Sequence, residues 1–247
     1  MHRPCKTDNP VQLGTLAPII TMDFQGDTEF CGRRCAAQVS KWMDWVKNSP
    51  CLDGTELKDG YLYIHNPLAL VPTTDYGYYH NVLITNPRRR IINRAHRLGY
   101  DFRPFEWNDF LDDIFEINTS RPERGGQPMS AGYLEKPKAQ MKFLPGDYCP
   151  RHPIVYYGAF MGKKLRAYCV MHFLNNHAAP ATLIGHGDYF RDGIMNGLID
   201  FMVRDISENH PWVETTNFLT LVSGREGLRD FKRNAGFQSH FVRVRNV

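Results

Sequence analysis

The chain has 247 residues and a formal net charge of +4, from 30 lysines and arginines against 26 aspartates and glutamates. Its hydrophobic share of 42% and charged share of 23% are ordinary for a globular protein. No apolar stretch approaches the roughly 20 residues of a membrane span, which excludes a helical membrane protein and predicts no membrane partner. The mildly basic charge permits contact with nucleic acid without requiring it.

The N-terminus, Met1-His2-Arg3-Pro4, is not followed by an apolar run, so the sequence predicts no signal peptide and a cytoplasmic location. In that compartment the six cysteines are expected to be reduced thiols or metal ligands rather than disulfides.

The first third of the chain predicts few regular elements. Val39, Met43 and Val46 follow the spacing of one helical face. Asn66-Pro67 interrupts an apolar run that otherwise reads as a strand. The sequence therefore predicts an irregular arm over 1–28 and a helix over 30–46. It also predicts an interrupted strand over 60–71 and a partly extended, aromatic-rich stretch over 75–85.

The middle of the chain begins with a clear helix signal. Asn86-Pro87 places a capping residue and then proline at a helix start, and Gly99 ends the run of 88–97. A short strand over 100–105 and a helix over 109–119 follow. The polar loop over 120–150 is long for a compact domain, which is typical of a functional or mobile segment.

The last hundred residues are more regular. The pattern predicts strands at 154–160, 165–174 and 181–187, a helix at 192–207, a strand at 216–222, a helix at 225–234 and a final strand at 238–245. This order favours an α/β or α+β sheet with helices packed on it.

Two segments carry a family resemblance. The closing segment 222–237 places Phe231-Lys232 before a Gly236-Phe237 turn, and 86–95 is an arginine-rich helix. With the order of elements, they resemble the GNAT acyltransferases, and the FemAB-like branch most, over about 80–247. The resemblance implies a mixed, mostly antiparallel central sheet flanked by helices, with 1–70 as an N-terminal extension and 71–247 as the acyltransferase domain.

The resemblance also implies an activity. An amine acceptor would attack an activated acyl group directly, and the donor would be acyl-CoA or an aminoacyl-tRNA. No tightly bound cofactor is expected. The tyrosine that many GNAT enzymes carry on the last helix as a general acid is replaced here by Phe231 and Lys232.

The donor loop departs from the family pattern. Acetyl-CoA users bind the pyrophosphate with a glycine-rich loop and the helix N-terminus that follows it. Gly187, Arg191 and Gly193 are present and are expected to contact the donor, but Met195 stands where a second glycine belongs, and two aspartates lie in the loop. This departure favours the aminoacyl-tRNA donor of the FemAB branch.

Three residues are candidates for catalysis. His186 ends the central strand and can deprotonate an amine, because imidazole titrates near neutrality; the alternative is a turn cap. Lys232 can contact a phosphate or an oxyanion; the alternative is a solvated helix lysine. His172 shares a strand face with Tyr168, which permits a paired site; the alternative is a core histidine.

The start of the 120–150 loop is dense in polar and hinge residues and is expected to grip the substrate. The alternative is an ordinary surface excursion. The predicted substrate-binding residues are Asn118, Ser120, Arg121, Arg124, Tyr133 and Tyr168.

The arginine-rich helix leaves two readings open. Arg90, Arg94 and Arg97 share one face of this helix. Together with Arg88 they can bind the phosphates of tRNA or DNA. They can equally pair with acidic residues of the next helix, at 109, 112, 113 and 116. If the first reading dominates, the chain is a nucleic-acid-binding or base-modifying protein.

The irregular spacing of the cysteines predicts no metal site; a structural zinc site is the alternative that they leave open. Cys31 and Cys35 are separated by three residues, Cys5 and Cys51 offer further thiols, and Cys149 with His152 forms a second half. Buried small hydrophobic residues are the alternative role for cysteines at this spacing.

Overall fold

The computed structural model describes residues 19–24, 33–124, 127–140, 148–221 and 224–245. Its helices are α1 Arg33–Asn48, α2 Tyr76–Tyr78, α3 Asn86–Arg97, α4 Leu111–Thr119, α5 Ala131–Leu134, α6 Ile194–Asn209 and α7 Glu226–Asn234. Its strands are β1 Ile20–Met22, β2 Thr55–Lys58, β3 Tyr61–Ile64, β4 Leu68–Pro72, β5 Tyr100–Pro104, β6 Glu123–Arg124, β7 Gln127–Pro128, β8 Ile154–Met161, β9 Lys164–Leu174, β10 His177–Gly185, β11 Thr215–Thr220, β12 Gln238–His240 and β13 Val242–Arg245. Within these ranges, no helix combines the length and apolarity needed to cross a bilayer.

The main sheet has seven strands in the order β12-β4-β11-β10-β9-β8-β5. Every neighbouring pair is antiparallel except β10 and β11, which are parallel. The predicted mixed, mostly antiparallel central sheet flanked by helices is therefore confirmed.

Strand β9 shows how the sheet separates two cores. Because side chains alternate along a strand, Cys169, Met171 and Phe173 enter the core beneath α3 and α6. Tyr168 and Val170 point to the opposite face, where α4 packs. The helices therefore cover both faces of the sheet, as an α/β architecture requires.

A smaller sheet, β1-β13-β3-β2, packs with α1 around a separate apolar core. The single final strand predicted over 238–245 is wrong, because the chain divides at Phe241. β12 pairs with β4 in the main sheet, whereas β13 pairs with β1 and β3. Val242 and Val244 are buried in the second core, which fixes the register of β13. The domain boundary placed at residue 70 stays a prediction; β4 crosses it and lies in the main sheet.

The stretch 75–85, expected to be partly extended, is helical. Asp75 caps α2 by accepting a hydrogen bond from the N–H of Tyr78 at 2.8 Å, and a π-helical turn, Tyr79–Leu83, follows. Arg89 then donates to the carbonyl of Ile84 at 2.6 Å. Aromatic residues are common in strands because their side chains pack well there, not because the backbone requires it. Tyr79 packs equally well from the helical turn, where it is 1% exposed.

Helix α6 packs closely on β5 through Gly197. A methyl group at Gly197 would stand 2.7 Å from Cε2 of Phe102, inside the main core. Gly227, in the first turn of α7, has no atom within 4 Å of the same position among the described residues.

We therefore expect Gly197→Ala and Gly227→Ala to change stability in opposite directions. The first overpacks the core and should lower the free energy of unfolding by about 1–3 kcal/mol. The second removes backbone freedom from a helix and should raise it by up to about 1 kcal/mol. Urea unfolding measures both; a neutral Gly197→Ala would show that Phe102 moves away freely.

Candidate active site

The main sheet opens between β10 and β11. These strands pair only at His177 with Thr215 and at Ala178 with Thr216, after which they diverge. Pro180 has no N–H to donate, and the register of β10 shifts directly after it. Beyond this point the facing edges of β10 and β11 have no strand partner in the described part of the chain. The fold therefore leaves the facing edges of these two strands without a neighbouring strand, on either side of a gap in the sheet.

A cavity of about 1360 Å³ lies at this gap. Leu183 and Gly185 of β10 and Phe218 of β11 form its floor. Helices α3, α6 and α7 and the 121–124 segment form its walls. Residues of the predicted donor loop and of the 121–124 segment therefore line the same cavity.

The cavity wall is strongly cationic. The arginines that line it are Arg88, Arg94, Arg121, Arg124, Arg191 and Arg225, and the lining contains one carboxylate, that of Glu123. Ion pairs between described residues involve other arginines, such as Arg166, so no described carboxylate neutralises these six. Burial lowers the pKa of Arg88 and Arg124, but a guanidinium stays protonated at neutral pH. The cavity is therefore suited to a ligand with several negative charges.

Aromatic rings hold two of these guanidinium groups in place. Arg88 lies 5.2 Å from the ring centroid of Phe231 and donates to Oδ1 of Asn196 at 2.6 Å. Arg121 lies 5.2 Å from the ring centroid of Phe190. Stacking of this kind fixes the plane of the guanidinium while leaving other N–H groups available.

The segment predicted to grip the substrate is fastened to the end of β10. Arg124 donates to the carbonyls of Gly185 at 2.7 Å and Ile117 at 2.6 Å and to Oγ of Ser120 at 2.9 Å. Arg121 donates to the carbonyl of Gly187 at 3.0 Å. The Oγ of Ser120 accepts from the N–H of Gly187 at 3.0 Å. Ser120, Arg121 and Arg124 therefore meet the central strand where the cavity begins.

The remaining predicted substrate residues lie behind this wall. The hydroxyl of Tyr168 donates to Oδ1 of Asn118 at 2.8 Å, and both side chains are buried. Burial raises the pKa of Tyr168 well above its ordinary value. The hydroxyl of Tyr133 lies 3.2 Å from Oγ1 of Thr182. These contacts brace α4 and α5 against β9 and β10.

The predicted donor loop is largely covered. A methyl group at Gly187 would meet Cγ of Arg121 at 2.6 Å, and one at Gly193 would meet the carbonyl oxygen of Ile91 at 2.7 Å. Gly193, at φ 90°, begins α6 against α3. Of the three residues expected to bind the donor, Arg191 alone lines the cavity.

His186 forms a turn cap. Its Nδ1 accepts a hydrogen bond from the N–H of Asp188 at 3.3 Å, so in the neutral ring the proton sits on Nε2, which lies 3.6 Å from Oε1 of Glu116. Burial lowers the pKa of His186. The side chain does not line the cavity, and its catalytic role stays a prediction.

Lys232 and His172 are also outside the lining. Lys232 is 0% exposed; its Nζ donates to the carbonyl of Thr220 at 2.7 Å and lies 5.0 Å from the ring centroid of Phe218. It therefore holds the end of β11, whose residue Phe218 forms part of the floor. His172 packs edge-on against Trp42, and burial lowers its pKa to about 4.

The acidic residues of α4 do not pair with the arginine-rich helix. Asp112 contacts Lys136 at 2.5 Å, Asp113 contacts Lys164 at 2.9 Å and Glu116 contacts Arg166 at 2.8 Å. Arg90, Arg94 and Arg97 are exposed, and of the predicted set Arg88 and Arg94 face the cavity.

Several lining residues were missed from the sequence. Glu123 and Arg225 are exposed charged residues in short connections, where nothing local marks function. Phe190 sits inside the predicted donor loop and stands out there as a large exposed hydrophobic residue, at 38% exposure.

The predicted zinc ligands separate into two groups. Cys35 lies beside Cys149 and His152. Cys5 and Cys31 lie outside the described residues, as does the side chain of Cys51.

Comparison with solved structures identifies the fold. FemX superposes with a TM-score of 0.53 at 11% identity, covering 83% of this chain and 66% of FemX. The C-terminal domain of a putative lysylphosphatidylglycerol synthetase from Agrobacterium fabrum is also similar (TM-score 0.47, 15% identity, covering 81% of this chain and 64% of that one). So is a GCN5-related N-acetyltransferase from Kribbella flavida (TM-score 0.42, 11% identity, covering 74% of this chain and 57% of that one).

The likeness to FemX confirms the predicted GNAT-like, FemAB-type fold. The chain spans less than two thirds of the length of the first structures that it matches. No family model and no curated protein matches it.

We expect Arg124→Ala to loosen the end of β10. The substitution leaves the carbonyls of Gly185 and Ile117 without this donor and should lower the free energy of unfolding by about 1–3 kcal/mol. Amide exchange at Gly187 should accelerate, because Ser120 loses its support. Arg233→Ala removes an exposed pair with Asp230 and should cost at most about 1 kcal/mol with unchanged exchange. Equal effects of the two substitutions would contradict this role.

Proposed function

We propose that this protein is an acyl- or aminoacyltransferase in which an amine attacks an activated acyl group held in the gap between β10 and β11. The FemX-like fold supports the proposal. The observation that carries it is the meeting of two features in one cavity: the diverging ends of β10 and β11 at its floor and six arginines in its walls.

The gap supplies what the reaction needs. A neutral amine attacks the acyl carbon, the new C–N bond forms, and the C–O or C–S bond to the donor breaks. The proton lost by nitrogen passes to the leaving group or to solvent. The intermediate oxyanion needs fixed donors, which backbone N–H groups along the diverging edges of β10 and β11 and the nearby guanidinium groups of Arg121 and Arg124 can provide. Catalysis is then mainly positioning and electrostatic stabilisation.

Glu123 is the residue we assign to the acceptor. It is the one carboxylate of the lining, and the arginines around it stay protonated. A carboxylate here attracts a protonated amine and accepts its proton before or during attack. His186 and Lys232, outside the lining, would act through the loops that they hold.

The cavity favours a nucleic-acid donor over a coenzyme. Gly187 and Gly193, which a CoA pyrophosphate would need uncovered, are packed against Arg121 and Ile91. At about 1360 Å³ the cavity also exceeds the usual 300–1,000 Å³ of small-molecule sites. Six arginines match the closely spaced phosphates of a tRNA acceptor end, so we take an aminoacyl-tRNA as the donor.

A second candidate follows from the exposed arginines outside the cavity. Arg90 and Arg97 stand on the solvent side of α3. They would extend a phosphate-binding track for DNA or RNA whose base is itself the acceptor. Mass spectrometry of nucleosides from expressing cells tests it: new acylated nucleosides support base modification, and an unchanged profile counts against it.

Replacing three exposed cavity arginines should weaken nucleic-acid binding. We expect Arg94→Ala, Arg191→Ala and Arg225→Ala together to reduce affinity for tRNA at physiological salt, since three phosphate contacts are lost. The slope of log K against log salt should become shallower by about 2–3. Fluorescence anisotropy over a salt series measures both quantities.

The matched control is the triple alanine variant of Lys47, Lys58 and Arg233, which removes the same charge from exposed positions away from the cavity. An equal loss in the control would show non-specific attraction and overturn the assigned site. Stabilisation by acyl-CoA in a thermal-shift assay, with no tRNA binding, would make CoA the donor. If neither tRNA nor acyl-CoA binds, the proposal is overturned.

We expect Glu123→Gln to lower the rate of transfer to an amine at least tenfold while leaving tRNA affinity the same or higher. The substitution keeps the shape of the side chain and removes the proton acceptor. Amine-dependent release of the aminoacyl group from charged tRNA measures the rate. Glu135→Gln, which makes the same change at an exposed position outside the lining, is the matched control. An unchanged rate in Glu123→Gln would remove Glu123 from the mechanism.

A further inference from the structure

Two cysteines and a histidine meet away from the cavity. Cys35 lies in the first turn of α1, and Cys149 and His152 lie in the turn that leads into β8. The three side chains are buried, at 1%, 7% and 0% exposure. Their Sγ and ring nitrogen atoms all lie within 4.8 Å of one another. Since 114 residues separate Cys35 from Cys149, the fold and not local sequence brings them together.

The orientation of His152 turns its Nδ1 toward the two cysteines. Its Nε2 lies 2.7 Å from the carbonyl oxygen of Phe24. A carbonyl can only accept, so Nε2 carries the proton and Nδ1 is left as the acceptor. That Nδ1 faces Sγ of Cys149 at 3.0 Å. An imidazole whose outer N–H is held by a backbone carbonyl is the arrangement that metal-binding histidines adopt.

The backbone also supports a thiolate. The N–H of Cys149 donates to Sγ of Cys35 at 3.3 Å. A hydrogen bond to sulfur favours its charged form, the form that binds metal.

Cys169 provides the contrast within the same chain. It is 0% exposed in the main apolar core, and burial alone raises its pKa far above the ordinary value for a thiol. It therefore behaves as a small hydrophobic residue. Cys35 and Cys149 instead lie against a backbone N–H and an imidazole lone pair.

We propose that Cys35, Cys149 and His152 are ligands of a structural zinc ion. Two thiolates with one imidazole form the donor set that Zn²⁺ prefers, and a fourth ligand completes its tetrahedron. At Zn–S of about 2.3 Å and Zn–N of about 2.0 Å, tetrahedral angles place sulfur and nitrogen about 3.5 Å apart. A rotation of the Cys149 side chain that moves its Sγ about half an ångström away from Nδ1 of His152 gives this separation. Full burial assigns the ion a structural rather than a catalytic role.

The ion would fix α1 to the main sheet. One ligand stands on α1 and two stand directly before β8, while Phe24 links the segment after β1 through its carbonyl. The other end of α1 carries Trp42 and Trp45, which line a second cavity of about 350 Å³. That cavity shares Leu183 and Phe218 with the larger one. This site stands independently of the proposed transferase activity.

The test is the metal content of the full chain, purified without a polyhistidine tag. We expect about one zinc per chain by plasma mass spectrometry. Cys35→Ser, Cys149→Ser and His152→Asn should each lose most of it, whereas Cys169→Ser keeps it. Replacement of zinc by Co²⁺ should give the absorption bands of tetrahedral cobalt with thiolate ligands. Chelation should lower Tm in the wild type and in Cys169→Ser alike.

The same measurements can overturn the proposal. A wild-type chain that holds no zinc after refolding with Zn²⁺ and reductant, or that shows a Cys35–Cys149 disulfide by mass spectrometry, contradicts it. So does full zinc retention in the three ligand variants. If those variants are insoluble, the cobalt spectrum and the release of zinc by a thiol-specific mercurial from the wild type decide: tetrahedral thiolate bands with release support the site, and their absence refutes it.

Discussion

The organisation of this molecule depends on where β10 and β11 stop pairing. Two residue pairs hold these strands together, and the ladder ends after Ala178 and Thr216. Close to this point, at Pro180, the register of β10 against its other neighbour, β9, also shifts. A sheet that closed along its full length would bury these edges and leave no gap. The parallel pairing, the bulged end of β11 and the clamp of Lys232 on Thr220 all keep the opening in place. The cavity is the direct result of this unfinished ladder.

Neutral groups, rather than carboxylates, orient the arginines that give the cavity its positive charge. Arg121 and Arg124 are oriented by backbone carbonyls, and Arg88 by Asn196 and Phe231. Neutral acceptors and aromatic faces fix the direction of a guanidinium without cancelling its charge. The acids of α4 are meanwhile engaged by Lys136, Lys164 and Arg166. The protein thus keeps its positive potential where an anionic ligand can reach it.

Periodicity and caps predicted most helices and the hairpin strands, because those signals are local. The errors arose where distant contacts decide. The aromatic stretch at 75–85 is helical because Arg89 and the core stabilise that turn. The composition of the 118–130 loop indicated Ser120, Arg121 and Arg124, whereas Glu123 and Arg225 needed the assembled walls. The approach of Cys149 to Cys35 joins residues that no sequence spacing relates.

The position of β13 in the small sheet has a consequence for folding. β13 lies between β1 and β3, so one of the last described segments of the chain is the centre of a sheet whose other strands are among the first. During synthesis, the apolar faces of α1, β1 and β3 therefore stay uncovered by their middle strand until β13 has left the ribosome. The small sheet is expected to be accessible to chaperones and proteases for longer than the β8-β9-β10 part of the main sheet, whose strands are consecutive in the chain.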